Sequence, residues 1–255
     1  MNPPLDPTRP TAPPRQVWGP RTSRVPYNED DLTFCMLVYE DHERAVWCLE
    51  NLRRSYPEAR VIVISDGDPD PRHETLAQRF GVRYVAGERL YPVANGGRLI
   101  ARMFDLFLEQ PTRWFFKIDT DTGIYRRFRP LPGEADLFGD WARIETRCLQ
   151  GGCIGIARSA VERMHASRLL LGPELLDPRT SWARDLDGSL IPACVERAEQ
   201  QGLIAFEFVL TWCAHRLGLE IEQFLDIRSE WKFRPSNPED VFAVVHPIKD
   251  LVLRR

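Results

Sequence analysis

Short, continuous apolar runs constrain the fold of this chain more than any other feature of its sequence. Three of them read LTFCMLVY, RVIVIS and WFFKI, and they occupy residues 32–39, 60–65 and 114–118. Runs of this length without polar alternation are typical of strands that are buried on both faces of a sheet. Segments with helical spacing, and a shorter strand in VRYV, lie between them. This β-α-β-α-β-α-β order predicts a mostly parallel sheet that is covered by helices.

The predicted helices of the first half span residues 42–56, about 72–80 and about 98–110. The second half is less regular, because its apolar runs are shorter and its glycines and prolines more frequent. Its predicted elements are a glycine-rich strand at 150–157, a helix at 158–167, a loop at 172–192, a helix at 203–219 and a short strand ending at His246. Gly218 predicts a left-handed stop to the last of these helices.

The first 28 residues contain eight prolines and few large apolar side chains. Such a segment has little surface to bury, which favours a flexible or extended tail over a packed element. We therefore predict a tail at residues 1–28, followed by a single domain at residues 29–255. The length of this second part suits one sizeable α/β domain.

Charge and composition exclude several classes of protein. A net charge of −3 indicates neither a nucleic-acid-binding surface nor a polybasic patch for membranes. No stretch approaches the roughly 20 apolar residues of a transmembrane helix, and the proline-rich start does not resemble a signal peptide. The six cysteines are scattered without C-x-x-C spacing, which favours a reduced compartment. The sequence therefore predicts a cytoplasmic protein.

Two aspartates follow the strand WFFKI directly. At alternating positions of an extended segment, Asp119 and Asp121 project to the same side. Paired carboxylates of this kind offer oxygen ligands to a hard divalent cation, which is commonly shared with substrate phosphates. The alternative is that both residues simply cap the strand end in a turn. The D-x-D pattern alone leaves both interpretations open.

A competing motif places D-x-D after an apolar strand as well. Phosphatases of the haloacid dehalogenase type carry threonine or valine two residues after the second aspartate, where this chain has Gly123. Their aspartates also follow the first strand of the chain, whereas WFFKI comes after several others. Both differences argue against this class.

The order of motifs resembles that of nucleotide-sugar-dependent glycosyltransferases of the GT-A fold. The resemblance spans residues 31–250 approximately and includes LTFCMLVYED, VIVISDGDPD, NGGRLIARMF, the D-x-D strand, LQGGCIGIA, AFEFVLTW and FAVVHPIKD. It implies an α/β fold with a Rossmann-like, mostly parallel sheet flanked by helices and a smaller mixed sheet on the acceptor side.

The same resemblance implies a set of donor-binding residues. Strand-end residues would pack on the nucleotide base, an aspartate would bond its ring nitrogen, and basic residues would reach phosphate or sugar oxygens. A glycine pair would line the cleft for the donor sugar and the acceptor. Carried over to this chain, the donor-binding set is Val38, Tyr39, Glu40, Asp66, Arg98, Asp119, Gly151, Gly152 and Lys249.

Metal-binding and catalytic residues follow from the resemblance too. A histidine near the C-terminus completes the metal shell in these enzymes, which points to His246 beside Asp119 and Asp121, with Mn²⁺ or Mg²⁺ as the cofactor. Many inverting members carry Glu-Asp before a helix, where the aspartate accepts the acceptor proton. This chain departs from the pattern with Phe206 and Glu207. Glu207 is therefore the predicted base.

These residues predict a metal-dependent enzyme that transfers a sugar from a nucleoside-diphosphate sugar, with UDP favoured, to a hydroxyl of a saccharide or another acceptor. Inversion is expected if Glu207 is the base, and a retaining mechanism is open if it is not. Trp182 and Trp231 are candidates for stacking on acceptor sugars, and core positions are equally compatible with them.

Two other functions stay open at this point. A sugar-phosphate nucleotidyltransferase would carry a glycine-rich basic loop after the first strand, where this chain reads VYEDHERA. A non-catalytic nucleotide-sugar-binding module could keep the same fold and the same metal site.

Overall fold

The computed structural model describes residues 23–90, 95–141, 149–172, 206–229 and 242–246. Within these ranges the helices are α1 His42–Ser55, α2 Pro71–Phe80, α3 Gly96–Leu108, α4 Arg158–Ser167 and α5 Phe206–Arg216. The strands are β1 Arg24–Val25, β2 Leu32–Val38, β3 Arg60–Ser65, β4 Arg83–Val85, β5 Trp114–Ile118, β6 Gly123–Ile124, β7 Leu131–Pro132, β8 Leu137–Trp141, β9 Leu149–Ala157, β10 Ile221–Gln223, β11 Ile227–Ser229 and β12 Val244–His246.

The main sheet has seven described strands in the order β10-β8-β9-β5-β2-β3-β4. Strands β5, β2, β3 and β4 are parallel to one another, as their apolar runs predict. Because they are parallel, their carboxyl ends lie at one edge of the sheet. The α/β fold class with a mostly parallel sheet flanked by helices is therefore confirmed.

Helices cover both faces of this sheet. Phe104 of α3, Met164 of α4 and Trp212 of α5 belong to one buried cluster. Leu49 of α1 and Leu76 of α2 belong to the cluster on the opposite face. Strand β2, which lies between β5 and β3, explains why two cores form, since its successive side chains point to opposite faces. A strand with both faces covered has to be largely apolar, which is the pattern of LTFCMLV.

The other side of the sheet contains both antiparallel and parallel pairs. Strand β9 runs antiparallel to both β5 and β8, and β10 is parallel to β8. A smaller sheet consists of β11, β12 and β6, with one parallel and one antiparallel pair. It is the mixed sheet that the resemblance implies. Its strand β6 directly follows the two aspartates, so the pairing of β12 with β6 brings His246 toward them.

The predicted boundary of the N-terminal tail needs correction. Arg24–Val25 pairs with Leu131–Pro132 in an antiparallel ladder. The hydroxyl of Tyr27 donates to the carbonyl of Phe128 at 2.9 Å and lies 3.0 Å from the hydroxyl of Tyr56. Residues 23–28 are thus packed on the fold, because a two-residue strand and a partly buried tyrosine anchor them. Residues 1–22 lie outside the described part.

The other predicted elements that the structure describes differ from it only in the residues at which they begin and end. The helix predicted at 203–219 is described as Phe206–Arg216, and Gly218 has the predicted left-handed conformation with φ of +61°. The loop predicted at 172–192 lies outside the described residues from 173 onward. Among the residues that the structure describes, no helix has the length and apolar character needed to cross a bilayer.

Candidate functional site

The two aspartates lie in a tight turn at the carboxyl end of β5. The amide of Thr122 donates to the carbonyl of Asp119 at 3.1 Å, which closes the turn. The amide of Asp119 and the hydroxyl of Thr122 both donate to the carbonyl of Gly152, at 3.1 and 2.8 Å. The turn is therefore fixed to the neighbouring strand β9, and the positions of both carboxylates follow from this backbone.

His246 approaches the aspartates from the small sheet. Its Nε2 lies 2.9 Å from Oδ1 of Asp121 and 3.3 Å from Oδ2 of Asp119. One ligand atom from each of the three residues falls within 4.8 Å of the others. Asp121 and His246 are buried, whereas the side chain of Asp119 is 33% exposed. The structure thus brings the three predicted metal ligands together in a cluster that reaches solvent at Asp119.

This geometry fits a divalent cation. An octahedral ion with bonds of about 2.1 Å has neighbouring ligand atoms about 3 Å apart. The distances of 2.9 and 3.3 Å from His246 Nε2 to the two carboxylates match that spacing. Carboxylate oxygens are the ligands that Mg²⁺ and Mn²⁺ prefer, and imidazole is a common ligand of divalent first-row metals. Three protein ligands also leave coordination positions for a substrate.

Gly152 makes room for the imidazole ring of His246. A Cβ built on Gly152 would lie 1.9 Å from Cγ and 2.0 Å from Nδ1 of that ring. Any other residue would displace the ring, because such distances are far below van der Waals contact. The Nδ1 atom is buried and has no hydrogen-bond partner in the described part of the chain. The resemblance implies a glycine that lines the donor cleft; the structure places it under the histidine.

Replacement of Gly152 by alanine is therefore expected to lower Mn²⁺ affinity by about 10- to 100-fold, as loss of a supporting contact behind a metal ligand does. The added methyl group pushes the His246 ring away from Asp121. Titration of Mn²⁺ followed by electron paramagnetic resonance of the free ion measures this directly.

Gly155→Ala is the matched control on the same strand. Its Cβ would lie 2.3 Å from Cε2 of Phe138, inside the apolar core. This variant should lose about 1–3 kcal/mol of unfolding free energy through overpacking and keep the Mn²⁺ affinity of the wild type. Equal Mn²⁺ affinity of the Gly152→Ala variant and the wild type would refute the role of this glycine.

Lys117 is a functional candidate that the sequence analysis did not select. It is buried on β5, and its Nζ donates to Oδ1 of Asp119 and to the carbonyl of Gly151. The available signal was a single lysine within the apolar run WFFKI. Burial acts to raise the pKa of Asp119, but the Lys117 charge and the hydrogen bond from His246 outweigh it and hold this pKa well below its ordinary range. Asp119 is therefore an anion at neutral pH.

The pKa of His246 shifts in the opposite direction, upward. Burial alone would lower its pKa, but hydrogen bonds to Asp119 and Asp121 outweigh burial and raise it to about 8, from an ordinary value of 6.5. In the metal-free protein, protonation of this histidine stabilises the fold. Because the folded pKa is the higher one, that stabilisation is fully present below pH 6.5 and is lost as the pH rises through about 8.

Metal binding should depend on pH in the opposite sense. An imidazole must lose its proton before it can bind an ion. We expect the apparent Mn²⁺ affinity to rise about tenfold per pH unit below pH 8 and to level off above that value. Titrations between pH 6 and 9 would show this, and the steep part should be absent from a His246→Gln variant. A flat profile in the wild type would contradict the assignment of His246.

The residues predicted to bind the nucleotide gather at the ends of β2 and β3. Val38 is buried, and its carbonyl accepts a hydrogen bond from the amide of Asp66 at 3.0 Å. Tyr39 is 44% exposed, and the guanidinium carbon of Arg89 lies 3.0 Å from its ring centroid. Glu40 is exposed and has a left-handed backbone with φ of 56°. These strand ends share the sheet edge with the D-x-D turn, as predicted.

Asp66 is engaged inside the protein. It is 1% exposed, and its Oδ1 accepts a hydrogen bond of 2.6 Å from the amide of Leu90. The guanidinium of Arg89 lies 3.6 Å from Oδ2 of the same carboxylate. The carboxylate thus fixes the backbone at Leu90 and pairs with the side chain of Arg89, an arrangement that its position after β3 does not reveal.

The remaining predicted site residues are apart from the cluster or outside the described part. Arg98 is exposed on α3 and forms an ion pair of 2.9 Å with Glu88. Glu207 is the second residue of α5, and its side chain is outside the description. Lys249, Trp182 and Trp231 lie outside the described residues.

No protein-family model matches this chain, and no curated protein matches it. Solved structures with a similar fold include a mannosyltransferase from Pyrobaculum calidifontis in complex with GDP-Man and Mn²⁺, at 13% identity and a TM-score of 0.42. The match covers 59% of this chain and 50% of that one. A cytidylyltransferase from Leptospira borgpetersenii serovar Hardjo-bovis matches at 15% identity and a TM-score of 0.38, over 53% of this chain and 63% of that one.

The chain therefore spans about half the length of the first protein and less than two thirds of the second. Likenesses of this extent assign no activity to this chain.

Proposed function

We propose that this protein is a metal-dependent glycosyltransferase, which moves a sugar from a nucleoside-diphosphate sugar to an acceptor hydroxyl. The observation that carries the proposal is the convergence of Asp119, Asp121 and His246 on one point at the carboxyl edge of a parallel sheet. Ligands of open α/β sheets bind at this edge. Paired carboxylates held there suit a divalent ion that is shared with phosphate oxygens.

The proposed metal ligands are Asp119, Asp121 and His246, with Mn²⁺ or Mg²⁺ as the ion. A divalent ion held there would act as a Lewis acid and stabilise negative charge on the departing nucleoside diphosphate. The chain fixes the position of that ion. The hydrogen bonds to the carbonyl of Gly152 hold the aspartate turn, and the histidine ring packs against Gly152.

The donor nucleoside is assigned to the ends of β2 and β3. An exposed aromatic ring at Tyr39 supports this assignment, since bases stack on such rings. An acidic contact from Asp66 to the base would favour UDP. Because this carboxylate already accepts a hydrogen bond from the amide of Leu90, the contact gives UDP no preference, and both GDP and UDP are to be tested.

Glu207 is the proposed general base. In the transfer step its carboxylate takes the proton of the acceptor hydroxyl, and the acceptor oxygen forms a bond to the anomeric carbon. The bond between that carbon and the diphosphate oxygen breaks on the opposite face, so the configuration inverts. A product with retained configuration would remove Glu207 from this role.

A thermal-shift screen of nucleoside diphosphates with and without Mn²⁺, paired with a sugar-transfer and donor-hydrolysis assay, tests the proposal. A ligand that binds only the folded state raises the free energy of unfolding by RT ln(1 + [L]/Kd). Stabilisation that requires Mn²⁺, together with turnover of a sugar nucleotide, is the expected result. Turnover of a nucleoside triphosphate with a sugar phosphate would indicate nucleotidyl transfer instead. Tight binding without turnover of any donor would indicate a binding module.

A further inference from the structure

Lys117 is a buried cation next to the candidate metal cluster. Its side chain is 6% exposed, and its neighbours along β5, Phe116 and Ile118, belong to the apolar core. A buried ammonium group is costly unless it is paired and hydrogen-bonded. Both requirements are met here, by the carboxylate of Asp119 and the carbonyl of Gly151. A methionine would fill this strand position without that cost, so the charge calls for an explanation.

The contacts of Lys117 divide the two oxygens of Asp119 between different partners. Oδ1 accepts from the ammonium, and Oδ2 faces Nε2 of His246 at 3.3 Å. A single oxygen of Asp119 is thus directed at the candidate ion. The same ammonium holds the backbone of Gly151, next to the glycine on which the imidazole ring packs. Lys117 therefore connects the aspartate to the backbone that supports the histidine.

The charge of Lys117 also sets the charge of the loaded cluster. The carboxylates of Asp119 and Asp121 together cancel the charge of a divalent ion, and a metal-bound histidine is neutral. The ammonium therefore leaves these groups with one net positive charge. Because Lys117 and His246 are buried, solvent and salt screen this charge weakly. Such a cluster attracts an anion, whereas the same cluster without the lysine would be neutral.

We propose that Lys117 is a positioning residue that couples the ion to a diphosphate ligand. It aims one oxygen of Asp119 at the ion, and its charge makes the ion-loaded cluster a receptor for a diphosphate group. This inference rests on the proposed function, since both concern the same metal cluster. It assigns a specific task to a residue outside the three metal ligands.

Two neutral variants separate these contributions. Lys117→Gln keeps hydrogen-bonding capacity toward Asp119 and Gly151, whereas Lys117→Met keeps only the bulk of the side chain. Arg163→Met is the control, because it removes one cationic charge from an exposed position on α4. Circular dichroism and thermal unfolding establish that each protein is folded, and Lys117→Gln carries the test should Lys117→Met fail to fold.

The measurements are Mn²⁺ affinity by electron paramagnetic resonance and affinity for methylenediphosphonate by calorimetry at saturating Mn²⁺. Lys117→Gln should bind Mn²⁺ alone within about threefold of the wild type, whereas Lys117→Met should bind it about tenfold more weakly, because Asp119 is no longer oriented. Both variants should bind the diphosphonate at least about tenfold more weakly than the wild type, as loss of a charged partner implies. Arg163→Met should match the wild type in both.

Each outcome has a distinct meaning. Wild-type protein that binds no Mn²⁺ would overturn the proposed function and this inference with it. Wild type and Lys117 variants that bind the diphosphonate equally would overturn only the inference. Loss of Mn²⁺ binding in both folded Lys117 variants would show that the lysine maintains the ion site itself, which also contradicts the proposed coupling.

Discussion

Asp121→Asn will abolish the stabilisation of the protein by Mn²⁺ and leave the fold intact. Oδ1 of Asp121 lies 2.9 Å from Nε2 of His246, and its side chain is 12% exposed. Asparagine has the same shape but no charge, so the buried cluster keeps its packing and loses one of two anionic ligands. Without that charge the interaction of a divalent ion with the cluster does not offset the free energy of removing its hydration shell.

Thermal unfolding with and without Mn²⁺ measures this effect. An ion present at 100 times its Kd stabilises a folded protein by about 2.7 kcal/mol, which is a shift of about 5–10 °C for a chain of this size. We expect that shift in the wild type and none in Asp121→Asn, together with a loss of sugar transfer.

Asp105→Asn is the matched control for this variant. Asp105 also pairs with a histidine, since its Oδ1 lies 2.8 Å from Nε2 of His165, but that pair is exposed on the surface of α3 and α4. The control should keep the full response to Mn²⁺. An unchanged Mn²⁺ shift in Asp121→Asn would show that the ion binds elsewhere.

Glu207→Gln should reduce sugar transfer by about 10²- to 10⁴-fold, the range that general-base catalysis contributes. Glutamine keeps the length of the side chain but cannot accept the proton of the acceptor hydroxyl. Donor binding and Mn²⁺-dependent stabilisation should stay at wild-type levels, since the metal ligands and the ends of β2 and β3 are untouched. Loss of transfer with retained donor binding therefore identifies the base.

Steady-state rates with a saturating donor, and the anomeric configuration of the product, test this assignment. Glu162→Gln serves as the control, because Glu162 is an exposed glutamate that pairs with Arg158 on α4. It should transfer sugar at the wild-type rate. Full activity of Glu207→Gln would mean that another group takes the proton.

Much of the fold was predictable from the sequence, because its central strands are apolar on both faces. The runs RVIVIS and WFFKI match β3 and β5 in both bounds, and the helix predicted at 158–167 matches α4. The short strands β6 and β11 were not predicted, because they carry too few positions for a pattern. The antiparallel direction of β9 was not predicted either, since it depends on pairing with β5 and β8.

The metal ligands of the candidate site were predictable from the sequence, but the residues that hold those ligands in place were not. Asp119, Asp121 and His246 stand in motifs whose order the resemblance supplies, and the structure brings them together. The contact between Gly152 and the histidine ring joins residues that are distant along the chain, so no local pattern reveals it. Lys117 was not predicted because one of its two hydrogen-bond partners, the carbonyl of Gly151 on β9, becomes its neighbour only when the sheet forms. The other partner is the carboxylate of Asp119.

Anomalous diffraction from a crystal grown with Mn²⁺ and a sugar nucleotide is the most direct test of the central claim. We expect a manganese peak about 2.1–2.3 Å from both Oδ1 of Asp121 and Nε2 of His246, with diphosphate oxygens on its open side. A crystal with the nucleotide bound, no peak at this position and the His246 ring turned away from Asp121 would contradict it.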